Sequence, residues 1–269
     1  MAEISPHAYI EKGAEIDDEV KIGAFSYIGK HVKIGKGTVI YPNVHIEGGT
    51  TIGANNKIYS FVTIGTPPQD FGYKDEVNRV VMGDNNIIRE YTSINMGTTK
   101  GGGITKLGNN NYLMAYTHLG HDVQVGDNTI FTNGATMGGH VIVEDYAIIS
   151  AFVGVHQFAR VGRFSFIGGY AAITQDVPPF ARVIGSRPAV IVDVNSIGMR
   201  RNGISKETVA IIKEAFKILF RSGLNTSQAL EKIKNELPSD NEELNHLINF
   251  IKSSRRGFIK KTVDKWMKK

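Results

Sequence analysis

Four of the eight histidines, His118, His121, His140 and His156, lie near the middle of the chain. Neutral imidazole is the side chain best matched to proton transfer near pH 7. Asp122 follows His121 directly, and a carboxylate beside an imidazole can hold one ring nitrogen and free the other for chemistry. There is no cysteine, which rules out a thiol nucleophile, a Cys-ligated zinc or iron–sulfur site and a disulfide framework. Eighteen residues beyond His121 stands Gly139, and eighteen further on stands Gln157. That spacing has meaning only if the backbone itself repeats every eighteen residues.

It does repeat. From Ile4, steps of six reach Ile10, Ile16, Ile22, Ile28, Ile34, Ile40, Ile46, Ile52, Ile58 and Ile64, which are all the isoleucines of that stretch. The pattern breaks over 66–81, returns at Met82, Ile88 and Ile94, and breaks again at Gly101-Gly102-Gly103. It then runs unbroken through Leu107, Leu113, Leu119, Val125, Phe131, Met137, Val143, Ile149, Val155, Val161, Ile167 and Ile173. A period of six fits neither a helix of 3.6 residues per turn nor simple strand alternation. It fits short strands joined by tight bends, each strand turning one apolar residue inward, with glycine expected to supply backbone freedom at the bends. The 26 hexads make between eight and nine coils of three. The fold class is therefore mainly β, a parallel β-helix over 1–190.

Three hexads per coil stack residues eighteen apart, about 4.8 Å from one another. His121, Gly139 and Gln157 then form a ladder, with His140 and His156 beside it and His118 near the adjacent corner. Glycine at 139 suits close approach of a ligand to the backbone, where a free N–H stabilises a developing oxyanion.

The remainder, 191–269, reads as a small α-helical domain. Ser205 caps a helix to about Arg221, with Val209, Ile212, Phe216, Leu219 and Phe220 on one face and Gly223 as its stop. Further helices are expected over 227–237, over 240–252 and from Phe258 onward, broken at Pro238 and Gly257. Charge divides along the same line: residues 200–269 hold 16 of the 31 Lys and Arg but only 8 of the 26 Asp and Glu. Such a basic region suits an acidic partner, and without aromatic interleaving or a DNA-binding motif nucleic acid is not expected. No stretch is apolar enough to span a membrane and the start carries no secretory signal, so a cytoplasmic protein is expected.

The motifs Thr117-His118-Leu119-Gly120-His121-Asp122, Gly138-Gly139-His140, Val155-His156-Gln157-Phe158 and Gln175-Asp176-Val177-Pro178-Pro179 resemble a hexapeptide-repeat family. This is the acyl-[acyl-carrier-protein]–UDP-N-acetylglucosamine O-acyltransferases, which open lipid A synthesis. The similarity extends over Pro68-Gln69-Asp70, Ile88-Arg89-Glu90 and Phe220-Arg221-Ser222-Gly223. It implies a left-handed β-helix, a homotrimer with clefts between subunits, and transfer of a 3-hydroxyacyl group from acyl carrier protein to the sugar 3-hydroxyl. It implies His121 as general base, Asp122 as its orienting partner and Gly139 as N–H donor to the thioester oxygen. His118, His140, His156 and Gln157 would line the cleft, Gln69 and Asp70 would contact the sugar, and Asn195, Arg200 and Arg201 the nucleotide. Gly169 falls at the acyl-length ruler, where a missing side chain favours a longer chain. The resemblance implies no cofactor beyond the phosphopantetheine of the carrier, and the basic helices would receive that acidic carrier. Gly72 stands where the family commonly has a loop lysine, with Lys74 two residues further on, and Asn202 stands where some members have a second arginine. These departures leave open a 3-amino acceptor. The alternative readings are another hexapeptide-repeat enzyme, such as a related N- or acetyl-transferase, and a zinc lyase of the γ-carbonic-anhydrase kind with His118, His121 and His140 as ligands, whose ligand spacing differs.

Overall fold

The structure is a computed structural model that describes residues 1–76 and 78–263. Twenty-six short strands run from Glu3–Ile4 to Ala172–Ile173, and every hexad position lies within one of them. The strands fall in rotation on three parallel sheets, the faces of a triangular prism. The first face begins at Glu3–Ile4, the second at Tyr9–Ile10 and the third at Glu15–Ile16. Registers are regular: Ile4 pairs with Ile22, Ile10 with Ile28 and Ile16 with Ile34. The architecture is a left-handed parallel β-helix followed by four helices.

Each coil passes its backbone hydrogen bonds to the next, as in Gly23 N donating to Ile40 O at 2.8 Å and Gly29 N to Ile46 O at 2.8 Å. The hexad side chains stack inside as a continuous core. All are buried except Ile4, Ile10 and Ile16, which belong to the first coil and have no coil beneath them. At about 1.5–3 kcal/mol for each large apolar side chain removed from water, this column is the main stabilising element.

The bends do not use glycine as expected. The left-handed position of most corners is held by Asn, an aromatic, Asp or His, among them Asn55, Asn85, Phe61, Tyr91, Asp122 and His140, all with φ between 57° and 64°. Asn and Asp tolerate that region better than most residues, and the aromatic members stack vertically, Phe61 on Tyr91 at 5.0 Å and Tyr91 on Tyr116 at 4.9 Å. The glycines that follow the isoleucines answer a different need. A Cβ on Gly35 would stand 2.7 Å from the carbonyl carbon of Gly53, so the next coil leaves no room for one.

Where the third face turns into the first, a polar ladder runs through the interior. Asn86 N and Nδ2 donate to Asn56 Oδ1 at 2.8 and 3.0 Å, Asn111 N donates to Asn86 Oδ1 at 2.9 Å, and Thr129 Oγ1 donates to Asn111 Oδ1 at 2.6 Å.

Both breaks in the hexad pattern are loops at one corner, between the second and third faces. The first spans 67–78 and the second 96–103, in successive coils. They lengthen the stacking offset from eighteen residues, so that Ile58 pairs with Ile88 and Ile94 with Leu119.

Residues 180–199 contain the antiparallel strands Ala181–Ile184 and Val190–Val194, which extend the first face. The helices are α1 (Ser196–Arg201), α2 (Lys206–Arg221), α3 (Thr226–Glu236) and α4 (Glu242–Lys252). Ser205 caps α2 as its sequence indicates, while α3 and α4 are capped by Asn225 and Asn241. The short α1 was not anticipated. The helix expected from Phe258 is absent over 258–263; Phe258 is buried and bridges Asp176, and Thr262 bridges Ile191, so this segment runs back along the prism. The rest of that expected helix lies outside the described residues.

The interior ladder gives a stability test. Asn86→Ala leaves Asn111 N without its acceptor and takes the Nδ2 donor from Gly108 O and Asn56 Oδ1, the latter keeping only the backbone N–H of residue 86. It is expected to cost about 1–3 kcal/mol by denaturant unfolding, whereas Asn86→Asp, which keeps an acceptor for Asn111 N, should cost less than Asn86→Leu.

Candidate active site

The corner between the second and third faces carries the histidine cluster. In successive coils it presents His121-Asp122, Gly139-His140 and Gln157-Phe158, joined by His140 N to His121 O at 3.0 Å and Phe158 N to Gly139 O at 3.1 Å. Asp122, His140 and Phe158 occupy the left-handed position of the bend, at φ 60°, 61° and 64°. His140 stacks on Phe158 with ring centres 4.4 Å apart and meets His121 edge to face at 5.0 Å.

Asp122 is buried, its side chain 1% exposed, and its carboxylate is fully engaged. Oδ2 accepts from His121 Nδ1 at 2.8 Å and from Thr98 Oγ1 at 2.6 Å, while Oδ1 accepts from Thr98 N at 2.9 Å. A carboxylate is only an acceptor, so in the neutral imidazole of His121 the proton sits on Nδ1 and Nε2 is the nitrogen with a free lone pair. The ring lies over Gly139, in the space that a Cβ there would fill. Glycine at 139 therefore makes room for the imidazole, a reason different from ligand approach. Among the described residues nothing accepts from the Gly139 N–H. A base and an unused backbone donor thus stand side by side.

His118 lies one strand earlier, largely buried, with Nδ1 2.8 Å from Ser93 Oγ. Burial holds its pKa below the ordinary imidazole value, and the neighbouring His121 adds a smaller effect of the same sign. Burial also lowers His140, against an opposing pull from the Asp122 carboxylate and a weaker one from Asp70. Asp70 belongs to the first loop, which leaves the prism at this same corner. Gln69 and Asp70 are exposed there, and Asp70 Oδ1 accepts from Gly72 N at 2.8 Å. Lys74 is exposed. The ammonium nearest Gly72 belongs to Lys100 of the second loop, 3.6 Å from where a Cβ at 72 would stand.

Above the cluster, His156 turns to Arg256, whose Nη2 lies 2.9 Å from His156 Nδ1 and whose Nε donates to Thr174 O at 2.8 Å. A cleft of about 640 Å³ opens here, lined by His140, Phe158, Arg160, Asp176, Arg255 and Arg256 among others. Of the four histidines, His121 and His140 touch, His118 is close enough to be felt electrostatically, and His156 stands two coils above His121. Arg256 and Lys100 were missed in the sequence because nothing in the hexad register places them here.

The remaining sequence-derived residues lie elsewhere on the chain. Gly169 belongs to the corner between the first and second faces, above Ala151 O. Asn195 caps α1, and its amide is used internally, Oδ1 accepting from Gly198 N at 3.1 Å and Nδ2 donating to Phe164 O at 2.9 Å. It sits beside the third corner, where Arg200 and Arg201 are exposed. One chain therefore distributes the expected site over three corners.

His121, Asp122 and His140 bring ligand atoms within 4.8 Å of one another, the geometry of a cation site. His118 is not part of that set, and both oxygens of Asp122 already accept hydrogen bonds, so a cation would have to displace Thr98 or His121.

The prism of hexapeptide coils and the matches below make this chain a hexapeptide-repeat transferase. Residues 31–66 and 104–139 match the bacterial transferase hexapeptide family, and 176–259 match the second domain of UDP-N-acetylglucosamine O-acyltransferase. The chain belongs to the acyl-[acyl-carrier-protein]–UDP-N-acetylglucosamine O-acyltransferase family, and it is an acyltransferase. A member from Syntrophobacter fumaroxidans is 47% identical over 96% of this chain and 100% of its own length, and one from Alkalilimnicola ehrlichii is 46% identical over 97% and 100%. The UDP-N-acetylglucosamine acyltransferase structure from Francisella novicida superposes with a TM-score of 0.93 at 40% identity, covering 97% of this chain and 95% of that one. That from Bacteroides fragilis gives 0.92 at 42% identity over 95% and 99%. No helix among the described residues is long and apolar enough to cross a membrane.

The buried histidines set a pH dependence of stability. With a folded pKa below the unfolded value, His118 leaves the unfolded chain holding more protons, so stability is complete above about pH 6.5 and falls as pH drops through the folded value. The denaturation midpoint should decline from about pH 7 to pH 5, and His118→Gln should decline less; equal declines would show that His118 protonates freely in the folded protein.

Proposed function

We propose that this acyltransferase moves an (R)-3-hydroxyacyl group from acyl carrier protein to the 3-hydroxyl of UDP-N-acetylglucosamine, with His121 as general base. The observation that carries the reading is the pairing of His121 Nε2, freed by the Nδ1 contact to Asp122, with the unused N–H of Gly139 beside it. Nε2 takes the proton of the sugar 3-hydroxyl as that oxygen attacks the thioester carbonyl carbon. The carbonyl oxygen gains the negative charge and accepts from the Gly139 N–H. Collapse of the tetrahedral intermediate breaks the carbon–sulfur bond, and the imidazolium returns its proton to the departing phosphopantetheine thiolate. The carrier supplies the only prosthetic group the reaction needs, and no metal takes part.

His118, His140, His156 and Gln157 line the path of the substrates in this reading, and Gln69, Asp70 and Lys74 hold the sugar from the loop. Arg200 and Arg201 bind the nucleotide phosphates, for which guanidinium is chemically suited. Asn195 shapes that site through α1. The expected partners of His121 stand at other corners of the prism, which supports a site completed by chains packed side by side; the assembly in this reading is a homotrimer. The basic C-terminal region receives the acidic carrier protein, and in this reading the reaction is cytoplasmic.

His121→Ala is expected to lower kcat by about 10²–10⁴ with little change in KM, measured with UDP-N-acetylglucosamine, or its 3-amino analogue, and a panel of 3-hydroxyacyl carrier proteins. Transfer from acetyl-CoA but from no acyl carrier protein would refute the reading. Gly169→Met should shift preference to shorter chains. Co-assembled His121→Ala and Arg201→Ala subunits should recover about a quarter of wild-type activity, because some sites then draw both intact residues from different copies; no recovery would place the whole site within one chain.

A further inference from the structure

We propose that Thr98 is a positioning residue for the proton transfer, and that the second break in the hexad pattern delivers it to the base. The proposal rests on the reading of His121 as general base. Asp122 is a carboxylate with almost no access to water, and such a group keeps its charge only if donors replace the lost solvent. His121 supplies one donor. Thr98 supplies two, its backbone N–H to Oδ1 at 2.9 Å and its hydroxyl to Oδ2 at 2.6 Å. The hydroxyl is itself oriented, because Thr98 Oγ1 accepts from Gly101 N at 3.1 Å, which leaves its proton for the carboxylate. Asp122 is held from its backbone side as well, its N–H donating to Thr105 Oγ1 at 2.8 Å, just after the same loop.

At this turn both of the Thr98 donors come from the residues inserted into the hexad pattern. The extra residues of 96–103 form one short 3-10 turn, Thr99–Gly101, capped by Thr98, which folds the loop inward against Asp122. Gly101 fits the same purpose. Its φ is not in the left-handed region, yet a Cβ there would collide with the Asp122 carboxylate, and one on Gly97 would stand 2.9 Å from Oδ1. The loop is thus shaped around the carboxylate, and Thr98, itself 5% exposed, is too deep to meet substrate.

The hydroxyl of Thr98 and the Nδ1–H of His121 share one oxygen. Thr98 therefore limits how strongly Asp122 attracts a proton on His121, while fixing the ring over Gly139. Removing the hydroxyl strengthens the hold of the carboxylate on the imidazolium, so the base is protonated at higher pH. The other charged or titratable groups around the pair are His118, His140, Asp70 and Lys100, and the substitution leaves all four in place.

The test is the pH dependence of kcat/KM in the intact protein, with circular dichroism and assembly mass as controls on folding. Thr98→Val is expected to lower kcat about tenfold, leave KM for the nucleotide sugar within about twofold, and move the acid limb up by about half a pH unit. Thr98→Ser should restore both kcat and the limb. Gly101→Ala, which keeps the hydroxyl but pushes on the carboxylate, should lower kcat about tenfold as well. The proposal is overturned if Thr98→Val lowers kcat with the limb unmoved, if Thr98→Ser behaves like Thr98→Val, or if Gly101→Ala keeps full kcat. Should Thr98→Val not fold, the serine and alanine variants decide by the same criteria. A wild-type protein whose transfer does not depend on His121 would instead refute the general-base reading, so the two failures are distinguishable.

Discussion

Vertical backbone hydrogen bonds between coils govern this molecule. Once each strand donates to the one above it, coils can stack only at the spacing of neighbouring strands, and side chains at one position of the turn become columns. The core column, the aromatic stacks and the interior asparagine ladder are three outcomes of that constraint. The site is a fourth. Nothing about His121, Gly139 and Gln157 is close in sequence, yet the backbone bonds from His140 to His121 and from Phe158 to Gly139 hold them in register.

A column of identical turns is a poor place for chemistry, because every face is flat and every bend resembles the next. The chain breaks its own regularity at one corner, twice in succession, immediately before the turn that carries His121. The first loop brings carboxylate charge toward His140; the second seals the Asp122 carboxylate from water. From above, the returning C-terminal segment closes the same corner, with Arg256 reaching His156 and Phe258 bridging Asp176. Irregular backbone converges on the one edge where a base is needed, while the other corners remain regular.

The architecture was legible in the sequence because the hexad is a strictly local code: each isoleucine specifies its own strand, and 26 hexads produced 26 strands. Helix α2 was legible for the same reason, Ser205 and the apolar face from Val209 to Phe220 being near neighbours. The pairing of His121 with Asp122 and the stacking of Gly139 above it followed from counting by eighteen. What escaped was whatever depends on the offset across a break. Thr98 reaches Asp122 from 24 residues away and Arg256 reaches His156 from 100, and no periodicity connects either pair. The glycines misled in another way. Composition indicated bends, but most of the left-handed positions are held by Asn and aromatic residues, and glycines such as Gly35 and Gly139 are required by what lies against them in the next coil.

The central claim is that Nε2 of His121 and the N–H of Gly139 face the two reacting oxygens. A crystal structure with the 3-O-acylated nucleotide sugar bound tests it most directly. The account predicts the ester oxygen within about 2.6–3.2 Å of His121 Nε2 and the acyl carbonyl oxygen at hydrogen-bonding distance from Gly139 N. Finding the ester oxygen against His118 or His140 instead, with His121 turned away, would contradict it.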